Sequence, residues 1–281
     1  MQMSMQGKTC LVTGATAGIG KETALALARD GARVIIVGRN PAKTAAAADE
    51  IRAATGNQQV EHLLADLSVQ AEVRRLADEV KARCDRLDVL VNNAGGVFPR
   101  RELTRDGLEM TFAVNHLGYF LLTNLLLDLL LRSAPARIVS VSSAAHQTAR
   151  INFADLMSER KYSPMGAYGQ SKLANILFTY ELARRLEGTG VTATCLHPGV
   201  VATNFGATSP LIGWFYRIGA RFMLTAAEGA DTVIYLASAP QAEGVTGQYF
   251  VKRKPVRSNA ASHDRETARR LWQMSEQLTG L

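Results

Sequence analysis

The sequence predicts an α/β fold, a single parallel sheet doubly wound by helices, and three observations carry that expectation. Strand-like and helix-like stretches alternate from the start, several strands are near-continuous apolar runs, and a glycine-rich turn joins the first strand to the first helix. Alternation places helices between parallel strands. Unbroken apolar runs are the mark of strands covered on both faces.

The elements follow in order. Residues 9–13 form a short β-prone run ending in the turn, and 18–29 then reads as a helix with Ile19, Leu25, Leu27 and Ala28 as apolar positions. A second strand is expected over 33–37. An alanine-rich helix over 41–55 carries proline in its first turn, where its missing N–H costs nothing. Further strands are expected over 60–65, 87–91, 137–141 and 191–196, with helices over 70–83, 104–132 and 165–187. The irregular stretches 144–164 and 202–224 follow strand ends, where open α/β sheets bind ligands. With no internal repeat, linker or break in composition, one domain over 1–281 is expected.

Bulk properties exclude several classes. With 281 residues, 47% hydrophobic and 20% charged, the chain has ordinary globular composition and can bury a core without disulfides or metal. Cys10, Cys84 and Cys195 have no CxxC spacing, and the start has no apolar segment long enough for a secretory leader, so a reducing cytoplasm is expected. The apolar run 117–131 is interrupted by Thr123, Asn124 and Asp128 and falls short of a membrane span. It suits either core packing or a homo-oligomer interface. The net charge of +7 comes from scattered residues, the one tight cluster being Lys252, Arg253, Lys254 and Arg257, so nucleic acid is not an expected partner. The five histidines lack metal-ligand spacing, and no metal is expected.

The turn Thr13-Gly14-Ala15-Thr16-Ala17-Gly18-Ile19-Gly20 lies between strand and helix. In that context glycines let the backbone approach a pyrophosphate, and the helix N-terminus offers N–H donors and a positive dipole end. A dinucleotide is therefore expected. At the end of the second strand an acid would favour NAD, whereas this chain has Gly38-Arg39-Asn40. Arg39 can pair with a 2′-phosphate, so NADP(H) is preferred with NAD(H) still open, the alternative for Arg39 being a solvated strand end. Asp66-Leu67 follows the third strand, where the carboxylate can accept from an adenine amino group. Asn92-Asn93-Ala94-Gly95 follows the fourth and sets small residues against a cofactor; either stretch could also be plain turn chemistry.

Tyr168 and Lys172 stand four apart at the start of a helix and share a face. A free tyrosine has a pKa of about 10 and is a poor base at neutral pH. A neighbouring ammonium favours the phenolate and tunes the hydroxyl toward proton exchange with an alcohol or carbonyl. A serine at the end of the strand over 137–141, Ser142 or Ser143, can hydrogen-bond a reacting carbonyl oxygen. Asn115 enters an otherwise apolar helix, which reads either as functional or as a helix-bending residue satisfied by backbone.

TGATAGIG, NNAG, Asn115, the strand-end serines, YGQSK and His197-Pro198-Gly199 occur in order along nearly the whole chain. With them the sequence resembles the short-chain dehydrogenase/reductase family. VNHLGYFLLTNLLLDLL, SSAAH, the insertion reaching Tyr162 and AYGQSKLANILFTYELARRLEGTGVT resemble its retinol dehydrogenase branch. The resemblance implies a Rossmann-type sheet of about seven strands in the order 3-2-1-4-5-6-7, with helices on both faces. It implies Ser143 as the catalytic serine, with Ser142 the alternative, and Tyr168 as the acid/base. Lys172 would bind nicotinamide-ribose hydroxyls while lowering the Tyr168 pKa, and Asn115 would hold a water of the proton relay. Gly14, Thr16, Ala17, Gly18, Ile19, Gly20, Arg39, Asn40, Asp66, Leu67, Asn93, Ala94 and Gly95 are the expected cofactor contacts. Pro198, Gly199, Val201 and Thr203 would contact the nicotinamide end.

The implied activity is hydride transfer between NADP(H) and a small apolar aldehyde, ketone or alcohol. Ala17 departs from relatives that carry a basic residue there and prefer NADP, which leaves more of the preference to Arg39. Residues 202–224, rich in Phe, Leu, Ile and Trp, occupy the substrate-loop position; the same residues suit a packed lid, a subunit contact or a weak membrane-surface contact. Residues 252–281 are expected as a C-terminal tail. Two other functions compete. A non-catalytic dinucleotide sensor would need no proton relay, and a nucleotide-sugar epimerase would carry a larger C-terminal domain.

Overall fold

The computed structural model describes residues 5–201 and 224–281. One sheet organises them: β1 (Thr9–Thr13), β2 (Arg33–Gly38), β3 (Val60–Leu64), β4 (Val89–Asn92), β5 (Ala136–Val141), β6 (Val191–His197), β7 (Gln248–Val251) and β8 (Lys254–Pro255). The strand order is 3-2-1-4-5-6-7-8. All pairs are parallel except the last, where β8 turns back antiparallel on β7. The sheet has one more strand than the seven or so expected. Two residues at the edge, one of them proline, carry no periodic signal that sequence reading could use.

Period-two alternation sends neighbouring residues of each strand into different cores. Leu11, Ile35, Leu90 and Ile138 face one side, where they pack with α3 (Gln70–Arg83), α5 (Gly118–Leu125), α6 (Leu127–Arg132) and α7 (Pro164–Arg185). Cys10, Val12, Ile36, Val91 and Val139 face the other, under α1 (Gly18–Arg29), α2 (Pro41–Thr55) and α8 (Ala226–Ser238). α7 has side chains from Ala167 to Ala183 buried almost all round, because α9 (Arg265–Thr279) covers its outer face with Ala268 and Leu271. The C-terminal residues pack on the fold: Trp272 stands edge-on to Phe120 at 4.9 Å and stacks on Phe178 at 5.7 Å.

The helix expected over 104–132 is shorter and broken. Residues 103–109 form a turn closed by Thr104 N–H to Leu108 O at 2.8 Å. The helix starts as α4 (Met110–Phe112), capped by the Glu109 carboxylate, which accepts from Thr111 and Phe112 N–H. A π-helical turn over Ala113–Leu117 follows, then α5. Such turns accommodate one extra residue and cluster at functional sites. Asn115 sits in the middle of this one. In the irregular 144–164 stretch, two short 3-10 turns occur at Ala144–Thr148 and Phe153–Asp155.

Candidate active site

The carboxyl ends of β1, β4, β5 and β6 gather the predicted residues along one sheet edge. After β1, Gly14 takes a left-handed φ of +64°, and a Cβ there would meet Ala94 Cα at 2.7 Å. At Gly20 a Cβ would run into Asn93 Nδ2 and into Gly14 O at 2.5 Å. Only glycine lets the turn, α1 and the β4 end pack this closely. Ala17 is the N-cap of α1 and contributes no side-chain hydrogen bond, so the first-turn N–H groups from Gly18 onward keep their donors for an anion. Thr16 and Gly38 are in contact, since a Cβ at Gly38 would lie 2.5 Å from Thr16 Cγ2; this sets the β1 turn beside the end of β2. Ile19 packs toward Gly229 of α8. Donors, dipole and close backbone approach all fit a dinucleotide pyrophosphate.

Around that turn the expected contacts divide by what their polar atoms already do. Arg39 is exposed at the end of β2. Asn40, by contrast, caps α2, its Oδ1 accepting from Lys43 N–H at 3.0 Å. Asp66 Oδ1 accepts from Ser68 N–H at 2.9 Å and Ser68 Oγ at 2.7 Å, and Leu67 is buried. Asn93 donates from Nδ2 to Thr13 O at 2.9 Å and Gly14 O at 3.2 Å. Its side chain therefore holds the phosphate turn in shape. Thr13 Oγ1, which sequence reasoning passed over, receives Asn93 N–H at 2.9 Å and Ala94 N–H at 3.1 Å and ties β1 to β4.

Lys172 lies on α7 with 2% of its surface exposed, and its Nζ donates to Val141 O at 3.0 Å. The ammonium nitrogen is 5.6 Å from the Tyr168 ring centroid and 5.7 Å from that of Tyr119. A Cβ on Gly95 would lie 3.4 Å from it, so the β4 end brings the small residues of NNAG against the lysine. Burial lowers the Lys172 pKa to about 7, well below the ordinary lysine value, so the charge expected to tune Tyr168 is itself held at a cost. Tyr119 escaped the sequence reading. It is fully buried, its hydroxyl has no hydrogen-bond partner among the described residues, and burial raises its pKa well above the usual phenol value.

The two serines separate cleanly. Ser142 is buried and donates from Oγ to Lys172 O at 2.8 Å, so it fastens β5 to α7. Ser143 is half-buried at the start of a 3-10 turn, its Oγ accepting from Ala145 N–H at 3.2 Å. His146 donates from Nδ1 to Ser143 O at 2.6 Å, and Asn259 Nδ2 donates to His146 O at 2.6 Å. Asn115 spends both its Nδ2 protons, on Gly96 O at 2.9 Å and Ser171 Oγ at 3.0 Å, while Oδ1 accepts from Gly96 N–H at 2.8 Å. Its side chain is satisfied largely by backbone. Tyr162 from the insertion donates to Phe98 O at 2.7 Å and so closes over the β4 loop.

At β6 the chain runs through Pro198 and Gly199 to Val201, which is buried and bridges to Leu224. Thr203 and residues 202–223 of the expected substrate loop lie outside the described residues.

A family model described as short chain dehydrogenase matches residues 8–210. The chain belongs to this family. Within it the sequence is similar to the retinol dehydrogenase branch: Retinol dehydrogenase 12 of Mus musculus is 45% identical over 279 residues, 99% of this chain and 88% of that protein. Among solved structures, an uncharacterised protein of Mycobacterium paratuberculosis superposes with a TM-score of 0.81 at 38% identity, covering 99% and 96% of the two chains. A short chain dehydrogenase of Escherichia coli CFT073, crystallised with NADPH, superposes with a TM-score of 0.73 at 29% identity, covering 89% and 98%. Members of the family are oxidoreductases that use nicotinamide cofactors on small substrates. Among the described residues no helix is long and apolar enough to cross a membrane.

Proposed function

We propose that the chain is an NADP(H)-dependent oxidoreductase interconverting apolar aldehydes or ketones with their alcohols, with Tyr168 as the acid/base. One observation carries the reading. Lys172 is buried within 5.6 Å of the Tyr168 ring, at the sheet edge where β4 and β5 present Gly95 and Ser143. A buried lysine beside a phenol is costly unless its charge is used, and perturbed pairs of this kind concentrate at reacting centres.

The residues assemble as follows. The turn from Gly14 to Gly20 holds the pyrophosphate, and Arg39 takes the 2′-phosphate. Asp66, Leu67 and Asn40 border the adenosine, Asn93, Ala94 and Gly95 the ribose side, and Pro198, Gly199, Val201 and Thr203 the nicotinamide. NADPH, when bound, supplies the hydride. Ser143 donates to the substrate carbonyl oxygen, and Tyr168 gives it a proton. Lys172 binds ribose hydroxyls and, as an ammonium, favours the phenolate left behind. Oxidation of an alcohol runs these proton movements backward. Negative charge developing on oxygen thus meets donors already in place. The apolar composition of 202–224 and the branch relatives named retinol dehydrogenases support an apolar substrate.

The experiment is NADPH oxidation across aldehydes and ketones of graded apolar size, with NADH and a Tyr168→Phe variant alongside. Turnover is expected with NADPH, and the variant should retain NADPH binding while kcat falls about 10²–10⁴-fold, the usual worth of a positioned acid/base. Undiminished turnover by the variant removes Tyr168 from the mechanism. Stoichiometric NADPH binding with no turnover of any carbonyl would instead favour a sensor.

A further inference from the structure

Tyr168, Ser143 and Lys172 leave unexplained a buried amide one helical turn further along α7. We propose that Asn175 is a positioning residue of the active site, fixing the main-chain carbonyl of Val141 that anchors Lys172 and the carbonyl of Asn115 in the π-turn. The inference rests on the proposed reaction, since it gives Asn175 a task toward Lys172.

Asn175 is fully buried. Its Nδ2 donates to Asn115 O at 2.9 Å and makes a longer approach of 3.4 Å to Val141 O. Lys172 Nζ donates to that same Val141 oxygen at 3.0 Å. Three residues apart, Lys172 and Asn175 share a helix face, so lysine and amide converge on one carbonyl. Asn175 acts through its neighbours, the carbonyls of Asn115 and Val141.

The orientation of the amide follows from its surroundings. Both carbonyls are acceptors only, so the nitrogen must face them. Oδ1 then faces His116 Nδ1 at 3.3 Å, which therefore carries the proton. His116 is fully buried and neutral at physiological pH, because burial lowers its pKa to about 4. Its remaining nitrogen, Nε2, is an acceptor 3.0 Å from Ser275 Oγ on α9. Ser275 Oγ also lies 2.8 Å from Leu271 O, so its one proton is divided between the two. Donation thus runs one way, from α9 through His116 and Asn175 to the two carbonyls. A side chain held between one donor and two acceptors in this way has one orientation available.

Without the amide, Asn115 O loses its donor, Val141 O loses one of its two side-chain partners, and water gains access to Lys172. The test compares Asn175→Ala with Ser133→Ala, which removes a buried hydroxyl bonded to Leu87 N–H at 2.8 Å and Leu129 O at 2.6 Å, beyond the N-terminal end of β5. Four quantities are measured: Tm, kcat, KM for NADPH, and the Lys172 titration midpoint by NMR of labelled lysine side chains. Both variants should lose Tm. Asn175→Ala alone should lower kcat about 10–100-fold, the scale of small misplacements at a reacting centre, with KM for NADPH raised by less and the Lys172 midpoint moved up toward the ordinary lysine value.

Asn175→Asp keeps the size of the side chain if the alanine variant does not fold. Its carboxylate faces two carbonyls and cannot donate until protonated, so its activity relative to wild type should rise as pH falls. Loss of Tm in Asn175→Ala with wild-type kcat and an unmoved Lys172 midpoint overturns the proposal, as does a pH-independent activity ratio for Asn175→Asp. The Lys172 midpoint needs no substrate. A wild type without turnover would therefore remove the proposed reaction while the midpoint still decided the role of Asn175.

Discussion

Arg39 and Asn40 are adjacent, exposed and polar at the end of β2, yet only Arg39 brings a charge and a donor fork to a ligand phosphate. Asn40 is committed to Lys43 N–H as the α2 cap. That leaves the guanidinium, whose fork geometry matches phosphate, to separate NADPH from NADH. Arg39→Ala should raise KM for NADPH about tenfold, the worth of one charge-assisted hydrogen bond at an exposed site, and leave KM for NADH nearly unchanged. Steady-state kinetics with both cofactors decides it, and equal effects would remove Arg39 as the phosphate reader. At this scale, spacing made Tyr168 and Lys172 legible, because i and i+4 share a helix face whatever the fold around them. The resemblance implied Ser143 with Ser142 as the alternative, and what spacing could not show is that Ser142 Oγ turns to Lys172 O. Asn175 was missed although a polar residue three beyond Lys172 in an apolar helix was a usable signal. Tyr119 left none, since a tyrosine in an apolar run reads as core.

Among the elements, β1 and β4 lie at the centre of the sheet and both end at the site. Their opposite ends are joined by Asp88. Its carboxylate accepts from Thr9 N–H at 2.9 Å, Lys8 Nζ at 3.0 Å and Arg86 Nε at 2.8 Å. Burial pushes its pKa up, but Arg86, the Thr9 amide and Lys8 outweigh that and hold it below the usual carboxylate value. Lys8 and Arg86 are partly exposed and their attraction is screened. The main loss on removing the carboxylate is the Thr9 N–H left buried without an acceptor. Asp88→Ala should cost about 1–3 kcal/mol by urea denaturation and leave NADPH affinity of the folded protein unchanged, because Asp88 sits at the strand ends away from the site. A changed affinity would show that β1 and β4 transmit strain along their length. Element boundaries were legible where pattern and cap agreed, as at Pro41 and Gly56 around α2. They failed at 104–109, where Glu109 at the cap position, in place of Ser, Thr, Asp or Asn, hid the true helix start.

Over the whole molecule, three imidazoles are held neutral by burial. His116 is lowered to about 4, and His146 and His197 are lowered as well, in each case chiefly because burial disfavours the cation. His116 lies among Phe112 at 5.0 Å, Phe178 at 6.2 Å and Phe120 at 6.3 Å, with α9 closing the cluster through Ser275 and Trp272. Below pH 6.5 the unfolded chain protonates these histidines while the folded chain does not. Stability present above that pH is therefore lost as pH falls, until the folded groups protonate too, near pH 4 for His116. For His116 alone the loss is of the order of 3 kcal/mol across that window. Asp88 acts in the same direction at lower pH, below the ordinary carboxylate value, where it must be protonated against its partners. Urea midpoints at pH 7, 5.5 and 4.5 should decline steadily in the wild type. His116→Met should be weaker at pH 7, where Asn175 and Ser275 lose their partner, but should decline less between pH 7 and 4.5. Parallel declines in the two proteins would show that His116 takes up its proton in the folded state as readily as in the unfolded chain, and that α9 does not seal it from water.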